Sequence, residues 1–384
     1  MLYRTPELTP ADEQVLADLN AFRDRFRHQL AEPRRWTGQL RRSLVAAAIR
    51  GSNTIEGYVI SQDDAVALAS GDEMSADVAD DTQAAVEGYK DALTYVQQAA
   101  HFPRFRYDHT LLSALHFMLT KHELSKWPGQ YRENGVWITG GPNRPPVYEG
   151  PAPELVPGLM DELVEWLNDG DLDSHPCVRA SMAHLNLVAI HPWRDGNGRM
   201  SRTLHTLVLA RQKILAPEFS SIEEWLGQGQ LNTLEYYGAL QKTHENGIWS
   251  PDSNTHEWIR FCLRAHHLQA QEVERRLEES GRLWLSLVKI AEHYHLEERT
   301  ISALFAAASG QLRRPVYARD EDLTRDQSVR DLQHLKRLGL VEPVGHGRTQ
   351  RYLGGREVRQ RAAEIRAQVY AKFPREPYPN GDTA

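Results

Sequence analysis

The stretch His191-Pro192-Trp193-Arg194-Asp195-Gly196-Asn197-Gly198-Arg199-Met200-Ser201-Arg202 gathers more chemistry than any other part of the chain. Helical apolar patterning precedes it, from Cys177 to Ala189, and follows it, from Gly198 to Arg211. Pro192 to Asn197 therefore fall in a tight turn between two helices. Gly-Asn-Gly at the start of a helix lets successive backbone N–H groups converge on an anion without Cβ clashes. The helix N-terminus adds its partial positive charge. Arg199 and Arg202 are three residues apart, a spacing that points both guanidinium groups at the same anion. Asp195 offers a hard oxygen suited to Mg²⁺ bridging a carboxylate and phosphates. His191 has an ordinary pKa near neutrality and suits a general base. Together these groups describe phosphoryl-type transfer from a nucleotide. Neither a GxxxxGK[ST] loop nor an HExxH helix occurs, so the chain is neither a Walker-type nucleotidase nor a zincin.

The elements that must position this turn are mostly helical. Val86, Tyr89, Leu93 and Val96 keep a helical period, as do Leu111, Leu112, Leu115, Met118 and Leu119 behind a candidate N-cap, Asp108. Leu159, Leu163 and Trp166 repeat the pattern, and His256 to Glu279 reads as a long helix with a charged tail. Val136-Trp137-Ile138 and Pro146-Val147-Tyr148 flank a Gly/Pro-rich connection and predict a β-hairpin with a loose tip. An isolated hairpin is marginal in water, so this one must lie on the neighbouring helices.

Composition bounds the remaining possibilities. At 384 residues the chain is long enough for two to three domains. The balance of 45 Lys+Arg against 52 Asp+Glu argues against a whole-chain nucleic-acid coat. Cys177 and Cys262 cannot build a disulfide framework, and no apolar run approaches a membrane span, so a soluble cytoplasmic protein without a membrane partner is expected.

Composition shifts near Ser280-Gly281, and a domain boundary is expected there. Short helices from Leu283 to Tyr294 and Thr300 to Ala308, a longer one from Asp326 to Leu338, and alternation through Leu340, Val341, Val344 and Tyr352 around Gly345-His346-Gly347 follow. That order predicts a winged helix-turn-helix. In it Arg325, Arg330, Lys336, Arg337, Arg348, Arg351 and Arg356 outnumber Asp326, Asp331 and Glu342, which admits DNA as a partner. The Pro-rich end around Phe373 to Gly381 reads as frayed. The expected divisions are 1–100, an N-terminal helical region; 101–279, the core; 280–356, the winged helix; and 357–384, a C-terminal helix and tail.

A second constellation precedes the core. Ser52 and Glu56 are four residues apart and share one helix face, and Gly57 is placed to end that helix.

His191 to Arg202 resembles, at every chemically constrained position, the HPFx[DE]GNGRxxR signature of the Fic (filamentation induced by cAMP) family, with Trp193 in place of Phe. The similarity extends to His184, Ile190, Gln130-Tyr131-Arg132, the hairpin around Trp137-Ile138 and Glu235-Tyr236-Tyr237, and covers about Leu2 to Leu268. Ser52 to Gly57 matches the family's inhibitory pattern [ST]xxxE[GN]. The resemblance implies a mainly α Fic fold with a β-hairpin flap, and a protein adenylyltransferase. His191 would be the base that deprotonates a Ser, Thr or Tyr hydroxyl of a target or of the chain itself. Asp195 would hold Mg²⁺ on ATP, and Gly196, Asn197 and Gly198 would cradle its phosphates. Arg199 and Arg202 would bind the β/γ side, and Tyr237 would line the adenine pocket. The flap would pair with an extended target segment. Glu56 would reach Arg202 and inhibit in cis. The same residues serve the reverse reaction, removal of AMP. A third reading is a DNA-binding regulator that senses nucleotide. Dimers are common among resembling proteins, so a homodimer is admitted as well.

Overall fold

The computed structural model describes residues 1–31, 34–75, 77–139, 146–212, 216–244, 247–310, 312–345 and 350–378. Its centre is a pair of helices, α7 (Pro176–Ile190) and α8 (Asn197–Arg211), joined by the His191 turn. Every residue of α7 from Cys177 onward is buried. Polar side chains survive there because they bond within the pair of helices or close by: Ser181 Oγ donates to the Cys177 carbonyl at 2.7 Å and Thr203 Oγ1 to that of Arg199 at 2.9 Å.

Around this pair lie α4 (Asp80–Ala99), α5 (His109–Thr120) and α6 (Val156–Asp169). Asp108 caps α5 by accepting from the Leu111 amide at 2.7 Å, as its sequence position predicts. The hairpin forms from β1 (Trp137–Thr139) and β2 (Pro146–Glu149), antiparallel, with Ile138 opposite Tyr148. It rests on the core through Tyr148, whose hydroxyl donates to the Ala189 carbonyl at 2.6 Å. The expected loose tip, 140–145, lies outside the described residues, as do residues 346–349 of the second turn.

On the other side, α1 (Pro10–Leu30), α2 (Thr37–Ile55) and α3 (Gln62–Ala69) meet the short α9 (Glu223–Gly227), α10 (Gln230–Thr243) and α11 (His256–His293). The α2–α9 crossing is as close as backbones allow. A Cβ at Gly51 would lie 2.3 Å from the Glu223 carbonyl oxygen, and one at Gly227 would lie 2.3 Å from that of Gly51.

Three expectations are corrected. The composition shift at Ser280-Gly281 falls inside α11, a single helix of 38 residues, not between two helices. One glycine costs a helix about 1 kcal/mol. The stripe Val273, Leu277, Leu283, Leu287 and Ile290, buried on both sides of it, outweighs that. A short helix absent from the sequence reading, α13 (Arg314–Asp320), stands between α12 (Thr300–Ala308) and α14 (Arg325–Arg337); the strands β3 (Val341–Val344) and β4 (Arg351–Gly354) and helix α15 (Arg356–Val369) follow. The Pro-rich end is held through Tyr378: Glu376 pairs with Arg264 at 2.9 Å, and the Tyr378 hydroxyl donates to Asp12 Oδ1 at 2.9 Å.

The C-terminal segment also grips the N-terminal helices. Arg42 of α2 pairs with Asp320, Arg351 pairs with Asp63, and Gln39 Nε2 donates to the Ser302 carbonyl at 3.1 Å. Among the described residues no helix is long and apolar enough to cross a membrane.

The crossing at Gly51 generates a test. Gly51→Ala forces α2 off α9 and is expected to destabilise the chain by about 1–3 kcal/mol, the usual range for overpacking. Urea denaturation measures it, and an unchanged midpoint contradicts so close a contact.

Candidate active site

The turn after α7 is closed by its own side chains. His191 ends the helix in the left-handed region, φ 51°, with its N–H on the Leu187 carbonyl at 3.0 Å, and Pro192 cannot continue it. Trp193 is wholly buried. Its backbone N–H donates to Asn197 Oδ1 at 3.0 Å, and Asn197 Nδ2 returns a bond to the Trp193 carbonyl at 2.8 Å. The Asn197 side chain is thus committed to the turn, which leaves its backbone to face an anion.

A residue not foreseen from sequence fixes the turn from outside. The His116 ring lies parallel on Trp193, centroids 4.3 Å apart. Its Nδ1 accepts from the Gly129 amide at 2.8 Å, so Nε2 carries the proton and donates to the Asp195 carbonyl at 2.9 Å. Burial pushes the His116 pKa down to about 4, consistent with that neutral tautomer. The one available signal was a lone polar residue in the apolar stripe Leu112, Leu115, Leu119.

Gly196 takes φ +74° and opens α8. At Gly198 a Cβ would lie 2.4 Å from Glu56 Oε1, so the Glu56 carboxylate rests on the bare first turn of α8. Partial positive charge and free N–H groups make this the place for an anion. Glu56 Oε1 also accepts from Arg202 Nη2 at 2.7 Å. Ser52 completes the cradle: its Oγ accepts from Arg202 Nε at 2.7 Å and its carbonyl from Nη2 at 3.0 Å. Burial opposes the charge of Arg202, but Glu56, with Tyr236 and Tyr89, outweighs it and raises its pKa. Arg202 Nη1 is buried without a partner among the described residues.

Arg199 does not share that anion. Its Nη1 donates to the Leu119 carbonyl at 3.1 Å, its guanidinium stands 5.0 Å over the Tyr58 ring, and its Nε lacks a partner among the described residues. The carbonyls at the end of α5 are acceptors that a helix leaves open, and they draw Arg199 away from Arg202.

His191 Nδ1 lies 3.1 Å from the Val188 carbonyl. A carbonyl only accepts, so Nδ1 carries the proton and Nε2 keeps its lone pair. Burial, reinforced by the charge of Arg132, lowers its pKa to about 4, against the opposing pull of Val188, Glu56 and Asp195. The ring is neutral at pH 7 and able to accept a proton.

Asp195 Oδ1 accepts from the Gly196 amide at 2.6 Å, and Oδ2 stands 3.8 Å from Lys126 Nζ, with the side chain 42% exposed. Among the described residues no three His, Cys, Asp or Glu converge as a self-sufficient metal site. A lone exposed carboxylate beside an anion cradle fits Mg²⁺, which takes one or two carboxylates and draws its other ligands from phosphates and water. The Tyr237 hydroxyl donates to the Ile55 carbonyl at 3.4 Å, which sets that ring beside the end of α2. On the flap, β2 bridges Ile248 through Glu149, so the outer edge of β1, with Trp137 56% exposed, remains for another strand.

A helical core with an anion cradle, a neutral imidazole and a carboxylate on one inter-helix turn is the arrangement of a Fic fold. Residues 106–209 match the profile of the Fic/DOC family, so the centre of the chain carries a Fic domain. Protein adenylyltransferase fic-1 of Caenorhabditis elegans is 44% identical over 61 residues, 16% of this chain and 12% of its own. Protein adenylyltransferase Fic of Drosophila mojavensis is 42% identical over 84 residues, 22% of this chain and 15% of its own. The chain thus spans well under a fifth of these curated relatives. A Fic family protein from Desulfovibrio desulfuricans G20 shares the fold over 92% of this chain and 99% of its own, with TM-score 0.58 and 22% identity. Fic-1 of C. elegans does so over 69% and 71%, with TM-score 0.53 and 21% identity.

The buried imidazoles predict a pH dependence. His116, His191 and His244 all fall to about 4 from an ordinary 6.5, chiefly through burial. The unfolded chain takes up protons below about 6.5 that these rings refuse until about 4, so acidification favours unfolding. Glu223, raised by burial to about 7, acts in the opposite sense and is outnumbered. The urea midpoint is expected to drop between pH 7 and pH 5; a flat or rising midpoint contradicts neutral buried rings.

Proposed function

We propose that the protein transfers AMP from ATP to a hydroxyl side chain of a protein, itself included, and that Glu56 restrains the reaction. The observation that carries this reading is the Glu56 carboxylate on Arg202 and on the first turn of α8, in the cradle best suited to a phosphate. The resemblance of His191 to Arg202 to the Fic signature, and the adenylyltransferase names of the relatives, support the reaction class.

In this mechanism the hydroxyl oxygen bonds to the α-phosphorus while the bond from that phosphorus to the pyrophosphate oxygen breaks, and pyrophosphate leaves. The hydroxyl proton passes to Nε2 of His191, which Nδ1 and Val188 hold in the accepting tautomer. Asp195 holds Mg²⁺, which neutralises phosphate charge when bound. Asn197 and Gly198 present backbone N–H groups, that of Gly196 being taken by Asp195 Oδ1, and Arg202 takes the terminal phosphate once Glu56 gives way. Glu56 and that phosphate compete for one position, and like charges about 4 Å apart repel by about 1–4 kcal/mol. The outer edge of β1 aligns the target strand.

The same reading assigns the C-terminal segment as a winged helix that binds DNA. Arg325, Arg330, Lys336 and Arg337 are exposed on α14 against one exposed acid, Asp326, because Asp331 is buried against Arg299, 2.8 Å away, so the outward charge is net basic. Binding should weaken steeply with salt. Titration of the whole chain with labelled duplex checks this; salt-independent or absent binding contradicts it.

Incorporation of labelled AMP tests the main claim. Glu56→Gly is expected to increase labelling at least tenfold over wild type, and Glu56→Gly/His191→Ala to abolish it while ATP binding persists. Equal labelling of wild type and Glu56→Gly contradicts the restraint, and labelling in the double variant contradicts the base. In the Glu56→Gly background, Asp195→Ala is expected to raise the Mg²⁺ concentration needed for half-maximal labelling; an unchanged Mg²⁺ titration removes Asp195 from the metal.

A further inference from the structure

Arg132 is 4% exposed, yet among the described residues its hydrogen bonds go to carbonyls and to no carboxylate. These backbone carbonyls come from two places. Nη1 donates to Asn134 at 2.8 Å and Nη2 to Pro151 at 2.6 Å, the residues just before β1 and just after β2. Nε donates to the carbonyl of His191 at 2.8 Å, and Nη2 also approaches that of Ile190 at 3.4 Å. The backbone adds one more bond, from the Arg132 N–H to the Pro192 carbonyl at 2.8 Å. One planar fork therefore joins both roots of the flap to the residue proposed as base.

We infer that Arg132 is a positioning residue, fixing the reach between the outer edge of β1 and the ring of His191. The inference rests on the AMP-transfer reading, since that edge matters only when a protein strand docks there.

The chemistry favours arginine specifically. The carbonyls at the C-terminus of α7 carry the negative end of the helix dipole, which stabilises a buried cation without a counter-ion. Its five N–H donors in one rigid fork span the flap roots and the helix end together; lysine, a point donor on a flexible stem, cannot hold both. The requirement is geometric because transfer needs the attacking oxygen in line with the α-phosphorus and within reach of the base. A displaced flap leaves the nucleotide site intact and misplaces the protein hydroxyl. Water, which needs no flap, is the competing acceptor and gives free AMP and pyrophosphate, its proton leaving through His191.

The test uses the whole chain carrying Glu56→Gly, with Arg132 intact or replaced by Gln or Lys, and α-labelled ATP with Mg²⁺. Protein-bound and free AMP are counted in the same reaction. Arg132→Gln is expected to lower the protein-bound share of turnover at least tenfold while ATP affinity changes less than twofold. Arg132→Lys should recover only part of that share, and it serves if the Gln variant does not fold. A parallel fall of both products would mark Arg132 as merely structural and overturn the inference, as would an unchanged share. Hydrogen exchange provides a readout without turnover: amides of 137–139 should exchange faster in either variant while those of 180–187 do not. Unchanged exchange in the flap overturns the inference whatever the activity. Absence of label with Arg132 intact would instead fault the AMP-transfer reading, which separates the two failures.

Discussion

A carboxylate and a guanidinium lie together at the positive end of α8, Arg202 at 1% exposure and Glu56 at 26%. Leaving one such charge buried without the other costs several kcal/mol, so every element touching the pair is constrained by it. Ser52 must face Arg202 from the same turn of α2 that presents Glu56, and α2 can do so only where Gly51 and Gly227 let it lie directly on α9. The first turn of α8 must lack a side chain at Gly198 for the carboxylate to reach it. Whatever displaces Glu56 must be an anion, because it inherits a buried guanidinium and a ring of backbone N–H groups.

The second constraint is neutrality around that charge. His116, His191 and His244 are held uncharged by burial, and the first two are each oriented by backbone partners of defined polarity. A positively charged His116 could not accept from Gly129, and the ring that donates to Asp195 would lose the bond that orients it. Tautomer and turn geometry are therefore one property. His191 gains its accepting Nε2 in the same way, from a carbonyl three residues back on its own helix.

Much of this was legible because spacing on a helix is rigid. Four residues put Ser52 and Glu56 on one face, and Pro192 and Gly196 dictate a break between α7 and α8. Where side chains and elements lie elsewhere than local signal suggests, tertiary contact outweighs that signal. Arg199 has the right spacing to join Arg202 but is drawn to the end of α5, a helix 80 residues earlier in the chain. Ser280-Gly281 looks like a boundary, yet the apolar stripe on either side carries α11 through it. The proline-rich end looks loose until Arg264 and Asp12 supply partners for Glu376 and Tyr378. His116 carries no motif of its own; its role exists only once α5 lies against the turn.

The central claim is that Glu56 occupies the position of the nucleotide's terminal phosphate. A crystal structure of Glu56→Gly with Mg²⁺ and a non-hydrolysable ATP analogue measures it directly. The account predicts a γ-phosphate oxygen within hydrogen-bond distance of Arg202 Nη2, in the space the carboxylate leaves above Gly198. A terminal phosphate bound elsewhere, with Arg202 still joined only to Ser52, would contradict it.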